Sequence, residues 1–287
     1  MAYSGTQLKQ LFTEIADSIR AKSGGNEKIV ADDFPEVIEE LKSGGDSIAD
    51  ELVTRTIVSY SHDTITYIGG YAFYMCETLT SIDLPAVTTL NLYAFNGCTS
   101  LVEVNVPSLV ELNAYGFSQC GSLVSIDLPM VQTIGKYALS YCSSLMSINI
   151  PAVISIDRYA FRGCVVLKEI SIPLITSLSQ STFRDCTSLT TVDLPKVTKV
   201  ESYAFQGCSS LVTIELPSAT QLNSYAFYNC SGILFLPIQT YLYRYGGAFA
   251  DGKQYKDIYI VQAKEERQKF LEDWYKLALD GNVGELE

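Results

Sequence analysis

Residues 82–101 read IDLPAVTTLNLYAFNGCTSL, and residues 192–211 read VDLPKVTKVESYAFQGCSSL, the same phrase with its polar letters changed. The two copies are five periods of 22 residues apart, and the intervals between them are filled. Cys76, Cys98, Cys120, Cys142, Cys164, Cys186, Cys208 and Cys230 fall 22 apart throughout. Pro85, Pro107, Pro129, Pro151, Pro173, Pro195 and Pro217 keep the same beat. So do Phe73, Phe95, Phe117, Phe161, Phe183, Phe205, Phe227 and Phe249, with Leu139 standing in once. Self-similarity at a fixed period of this size is the signature of a stacked array, in which each unit is one supersecondary element.

Within one unit, Leu79 to Leu84 closes on an apolar–polar–apolar alternation, Ile82-Asp83-Leu84, which suits a short strand with one buried face. Pro85 ends it, because proline cannot donate to a sheet ladder. Val87 and Leu90 anchor a second, shorter extended piece. Tyr93-Ala94-Phe95 followed by Asn96-Gly97-Cys98 reads as one helical or 3₁₀ turn closed by a glycine, as at Gly163 and Gly207. One such unit buries too little apolar surface to offset the entropy of ordering it. Neighbouring coils must close the difference, so several repeats and sealed ends are required.

The quoted phrases resemble BspA-type leucine-rich repeats over about residues 57 to 262, because the Y-A-F-x-x-C-x-S-L-x-x-I core recurs almost unaltered. They depart from the more familiar L-x-x-L-x-L-x-x-N/C-x-L repeat: proline follows the strand, and the cysteine belongs to the turn before it. The resemblance implies a leucine-rich-repeat solenoid, α/β horseshoe-like but β-rich, with eight 22-residue repeats plus caps. It also implies use in adhesion and protein recognition, often on bacterial surfaces.

Three domains are expected: residues 1–47, an N-terminal helical segment; 48–262, the repeat array; and 263–287, a C-terminal capping helix. Leu8, Leu11, Phe12, Ile15 and Ile19 line one helical face, which Gly24 and Gly25 stop. A second helix begins at Asp33-Phe34-Pro35 and carries Val37, Ile38 and Leu41, making a small hairpin. LFTEIADSIRAKSGG followed by DDFPEVIEEL is similar to short helical segments of phage and prophage tail-associated proteins. At the far end Asp257 to Val261 resembles the last strand of BspA-type arrays. Phe270, Leu271, Trp274, Leu277 and Ala278 then share a helical face that seals the stack.

The formal net charge of −12 argues against nucleic acid and anionic membrane surfaces, both of which are bound through Lys and Arg. No run is long and apolar enough to insert in a bilayer. The opening MAYSGTQLKQLF has no basic region followed by an apolar one, so it does not read as a secretory signal. An extracellular surface or a phage particle is the expected setting. The cysteine period favours a reduced core ladder over bridges, since stacked coils set equivalent thiols side by side with parallel Cβ vectors. Zinc wants close cysteine pairs, and none is present. With a single histidine, His62, and none of the common nucleophile or phosphate motifs, no catalytic, cofactor or metal residues are assigned.

What remains is surface. The outward strand positions are Ser81/Asp83, Glu103/Asn105, Ser125/Asp127, Ser147/Asn149, Glu169/Ser171, Thr191/Asp193 and Thr213/Glu215. Of these, Asp83, Glu103, Asn105, Asp127, Asn149, Glu169, Asp193 and Glu215 form a mildly acidic stripe. The stripe suits a basic or hydroxyl-rich partner or weak Ca²⁺, the alternative being a merely solvated face. A second ladder, Tyr71, Tyr93, Tyr115, Tyr137, Tyr159, Tyr203 and Tyr225, broken by Ser181, suits stacking within the shell. Off-pattern Tyr74, Tyr141 and Tyr228 are candidate aromatic contacts. The expectation is a non-catalytic scaffold recognising a protein or glycan through the solenoid surface and attached to a virion or cell surface by its N-terminal helices. The alternatives are an independent bacterial cell-surface adhesin and a glycan-active enzyme.

Overall fold

A computed structural model describes residues 55–211 and 213–230, together with the strands Ile233–Leu236, Tyr241–Leu242 and Ile258–Ile260. The expected helices of residues 1–47 and 263–287, Trp274 among them, lie outside the described residues.

Each coil makes two short strands and one run of turns, and each of these stacks on its counterpart 22 residues away. The first row holds three-residue strands such as Ser81–Asp83 and Glu103–Asn105, paired in parallel with Ile82 opposite Val104. The central residue points inward and its neighbours outward, as the alternation predicts, although the strand starts at Ser81 and stops at Asp83, one residue short of Leu84. The reason is Pro85. The Val87 amide donates to the Leu84 carbonyl at 3.2 Å, closing a β-turn in which proline sits where its fixed φ is favoured. The second row holds two-residue strands such as Thr89–Leu90, paired with Glu111–Leu112. Ser59–Ser61 and Tyr67–Ile68 pair in register with the coil that follows, so the stack extends back at least to Ser59.

The third side departs from the sequence expectation. Among the described residues no helix or 3₁₀ segment forms between Asn91 and Leu101. Tyr93 adopts φ 57° and Gly97 φ 76°, and two left-handed residues within one stretch prevent a helical run. What results is a chain of turns whose amides face the next coil. Tyr93 donates to the Ala114 carbonyl, Phe95 to Gly116 and Gly97 to Ser118, at 3.0, 2.8 and 2.8 Å. The left-handed conformation recurs at every ladder tyrosine and at Ser181, with φ between 55° and 62°. It also recurs before every cysteine, whether the residue there is Gly97, Gly163 and Gly207 or Met75, Gln119, Tyr141, Asp185 and Asn229.

The core lies inside this three-sided coil. Leu79, Leu84, Val87, Leu90, Ala94, Phe95, Cys98 and Leu101 are wholly buried, and their counterparts repeat up the stack. Phe95 lies 4.8 Å from Phe73 and 5.3 Å from Phe117 between ring centres, which is the strand spacing expressed in rings. Ser and Thr clamp the coils from outside: Thr80 donates to the Val58 carbonyl, Thr88 to Thr66 and Thr198 to Thr176.

Among the described residues the two strand rows break together at one step. The first row runs as Ser59–Ser61 to Glu103–Asn105, then Ser125–Asp127 with Ser147–Asn149, then Glu169–Ser171 onward to Ile258–Ile260. The second row is continuous from Tyr67–Ile68 to Ser155–Ile156 and begins again at Ser177–Leu178. Both rows therefore break between the coil of residues 147–156 and that of 169–178. There the Ser179 hydroxyl, at 2.6 Å, takes the Ile156 carbonyl, which in other coils receives an amide such as Glu201 to Leu178. Only the turn side crosses the seam intact, through Tyr159 to Gln180, Phe161 to Thr182 and Gly163 to Arg184.

Candidate functional site

The strand face presents the expected stripe. Asp83, Glu103, Asn105, Asp127, Asn149, Glu169 and Asp193 are exposed on one side of the coil, and Glu215 is half-buried. Their arrangement is finer than a run of acids. At the last strand position the carboxylates alternate with neutral donors. Asn105 donates to Asp83 at 2.7 Å, Asn149 to Asp127 at 2.8 Å, and Ser171 to Asp193 at 2.7 Å. Asp83, Asp127 and Asp193 are thereby kept at least two coils apart, roughly 9–10 Å, which is about a Debye length in physiological salt. Asp193 and Glu215 are the exception, being in direct register. The first row's two breaks fall between these pairs, after Asn105 and after Asn149, so no side-chain pair straddles a break. Beside the stripe, Val102, Val124 and Met146 stand 45%, 41% and 57% exposed on successive coils, a row that the alternation rule does not anticipate.

The turn edge carries the tyrosines. Tyr71, Tyr93, Tyr115, Tyr137 and Tyr159 stack at 4.3–4.9 Å with planes within 15°, and Tyr203 stacks on Tyr225 at 5.1 Å. The ladder is therefore part of the shell. Burial pushes the Tyr137 phenol up, with the Tyr159 neighbour acting in the same direction. Of the off-pattern rings, Tyr74 packs edge-on against Tyr71 and Tyr93, and Tyr228 against Tyr225. Tyr141 is the exposed one, with the Arg162 guanidinium 5.3 Å from its ring centre and an open depression of about 480 Å³ against it and Gln119. Three of the candidates thus share one edge, on a different side of the coil from the stripe.

All eight cysteines are free and buried. From Cys98 onward each thiol donates to the carbonyl of the residue 25 before it, Cys98 to Phe73 and Cys142 to Phe117 at 3.1 Å. Burial pushes Cys76 up to about 11 and Cys142 and Cys186 up to about 12. A thiol held that high is not a nucleophile at neutral pH. His62 Nδ1 accepts from the Thr64 and Ile65 amides at 3.3 Å, a turn-forming role. Among the described residues no three His, Cys, Asp or Glu side chains converge to hold a metal ion.

The profile of the family described as BspA type Leucine rich repeat region matches in six copies, over residues 66–190 and 176–268. Among solved structures, a leucine-rich repeat protein of T. pallidum is 30% identical, with 54% of this chain and 72% of that one aligned at a TM-score of 0.47. A leucine-rich cell surface protein of Faecalibacterium prausnitzii is 24% identical, with 63% of this chain and 61% of that one aligned at a TM-score of 0.50. No curated protein matches. The family match begins at residue 66, so it lends nothing to the similarity of residues 1–47 to tail-associated segments.

Proposed function

The chain belongs to the BspA-type leucine-rich repeat family, and we propose accordingly that it is a non-catalytic scaffold whose strand face binds a protein or glycan partner. The observation that carries this reading is the stripe itself. Asp83, Asp127 and Asp193 recur along one exposed face, each held by a neutral neighbour and each keeping lone pairs free for a partner. The exposed Val102, Val124 and Met146 alongside offer the apolar contact that charges alone lack. A rigid face of regularly spaced acceptors suits a basic or hydroxyl-rich surface. Residues 1–47 serve as the attachment segment, holding the array on a cell or phage surface.

The triple variant D83N/D127N/D193N tests the face, because asparagine keeps an acceptor for Asn105, Asn149 and Ser171 and so preserves the coil. Binding of the full chain to immobilised glycans and host-surface proteins is expected to weaken at least about tenfold in the variant, about 1.4 kcal/mol. Binding by the native chain should also fall with added salt. Undiminished binding by the variant would remove the strand face from the account. Recovery with and without residues 1–47 tests attachment, and equal retention on the particle or cell would count against it.

A further inference from the structure

The coil of residues 169–190 breaks the pattern of its neighbours three times over. Both strand rows stop before it. It carries Ser181 where the other seven coils carry a ladder tyrosine. And the buried side-chain atoms without a hydrogen-bond partner among the described residues gather around it: Ser181 Oγ, Arg162 Nε, Arg184 Nε and Gln206 Oε1. Local departures from an otherwise consistent design mark functional positions more often than accidents.

The geometry of the gap follows from the repeat. Rings in the ladder sit 4.3–5.1 Å apart, so Tyr159 and Tyr203, two coils apart, stand roughly 9–10 Å apart with no ring between them. Ser181 holds the ladder backbone conformation, φ 55°, with 0% exposure, and its side chain leaves Cα in the direction the tyrosines take. The left-handed residue persists there without the stacking that supports it elsewhere, a strained position. Two guanidiniums flank the gap. At the same repeat position Tyr74 lies edge-on to the rings of its own coil and the next. Arg162 Cζ lies 5.9 Å from the Tyr159 ring and 5.3 Å from the Tyr141 ring, and Arg184 holds the same repeat position one coil on. Asp185 lies 3.8 Å from Arg162 Nε and 3.4 Å from Arg184 Nε, one carboxylate shared between two cations, so the spot is positive in a chain of net charge −12.

We infer that this missing rung is a recognition slot for a phenolic carboxylate. The aromatic ring fills the place of the absent tyrosine and stacks between Tyr159 and Tyr203. Its carboxylate accepts from the Arg162 and Arg184 Nε–H groups and from the Ser181 hydroxyl, and its own hydroxyl donates to Gln206 Oε1. Ser181 is wholly buried, so entry requires Arg162 and Arg184, about a third exposed, to swing outward. The slot lies on the turn edge, away from the strand face, and stands independently of partner binding there.

The test is titration of the full chain with 4-hydroxybenzoate by calorimetry and NMR. One saturable site is expected, with R162Q and R184Q each weakening it about tenfold or more and cyclohexanecarboxylate and benzyl alcohol binding at least about tenfold more weakly. S181Y restores the rung that the other seven coils use, so it should fold, melt no lower than the native chain and lose the site. Absence of saturable binding, native-strength binding by S181Y or by both arginine variants, or equal binding of either control compound overturns the proposal.

Discussion

At the scale of single residues, the left-handed positions decide what each site tolerates. Gly163 has φ 74°, and a Cβ there would meet the Tyr141 ring at 2.7 Å, because the side chain of one coil lies over the glycine of the next. Gly163→Ala should therefore lose about 1–2 kcal/mol, from the left-handed backbone and the displaced ring together. Gly121 has no such conformation, and its nearest neighbour to a Cβ is Ser143 Oγ at 3.6 Å. Gly121→Ala should gain about 0.5 kcal/mol through the unfolded state. Chemical denaturation of both variants measures the contrast. The thiols set a pH limit. A free cysteine titrates near 9.0, while burial holds Cys76 at about 11 and Cys142 and Cys186 at about 12. Between those limits the unfolded chain releases protons that the native chain keeps. Stability should be complete below about pH 9 and fall as pH rises toward 12. A denaturation midpoint equal at about pH 7 and about pH 10.5 would contradict the buried ladder. The tyrosine, phenylalanine and cysteine positions were legible in the sequence because the period displays them. The left-handed backbone at Tyr93 was not, since tyrosine carries no preference for it and only the inter-coil bonds of the turn side hold it there.

At the scale of elements, the acidic row is stable because it is diluted. Asn105→Asp replaces the donor to Asp83 with a third carboxylate between Asp83 and Asp127. A loss of about 0.5–1.5 kcal/mol is expected, shrinking as salt is added, and a salt-independent loss would point to packing instead. Alternation around Ile82 and the proline after it marked the strand in the sequence to within a residue. The return limb reads in the sequence as one helical or 3₁₀ turn, because Tyr-Ala-Phe followed by glycine fits either; the structure has i→i+3 turns that left-handed residues keep from joining into a helix. Arg162, Arg184 and Gln206 escaped notice because they occupy a position that varies from coil to coil. The visible signal was the serine at 181, which interrupts an otherwise regular column.

For the whole molecule, register is the constraint. Excising residues 103–124 joins Val102 to Ser125, the same junction one unit later, so the shortened array should keep its circular dichroism per residue and a single cooperative melt. Excising residues 103–113 shifts every later ladder by half a coil and should abolish that melt. The array was readable from one line of sequence because each coil restates the last. What happens between coils was not: both strand rows break after the coil of residues 147–156, where the Ser179 hydroxyl bonds the Ile156 carbonyl, and a serine at 179 does not announce that in the sequence. That break has a mechanical meaning. Three lines of bonding stiffen most of the described steps, but at this one the turn side and the Ser179 hydroxyl carry the load. Under tension or shear the molecule should behave as two stiff segments in series with one compliant joint. A partner long enough to lie across both segments would meet a bend as well as a surface, and its grip would change with the angle.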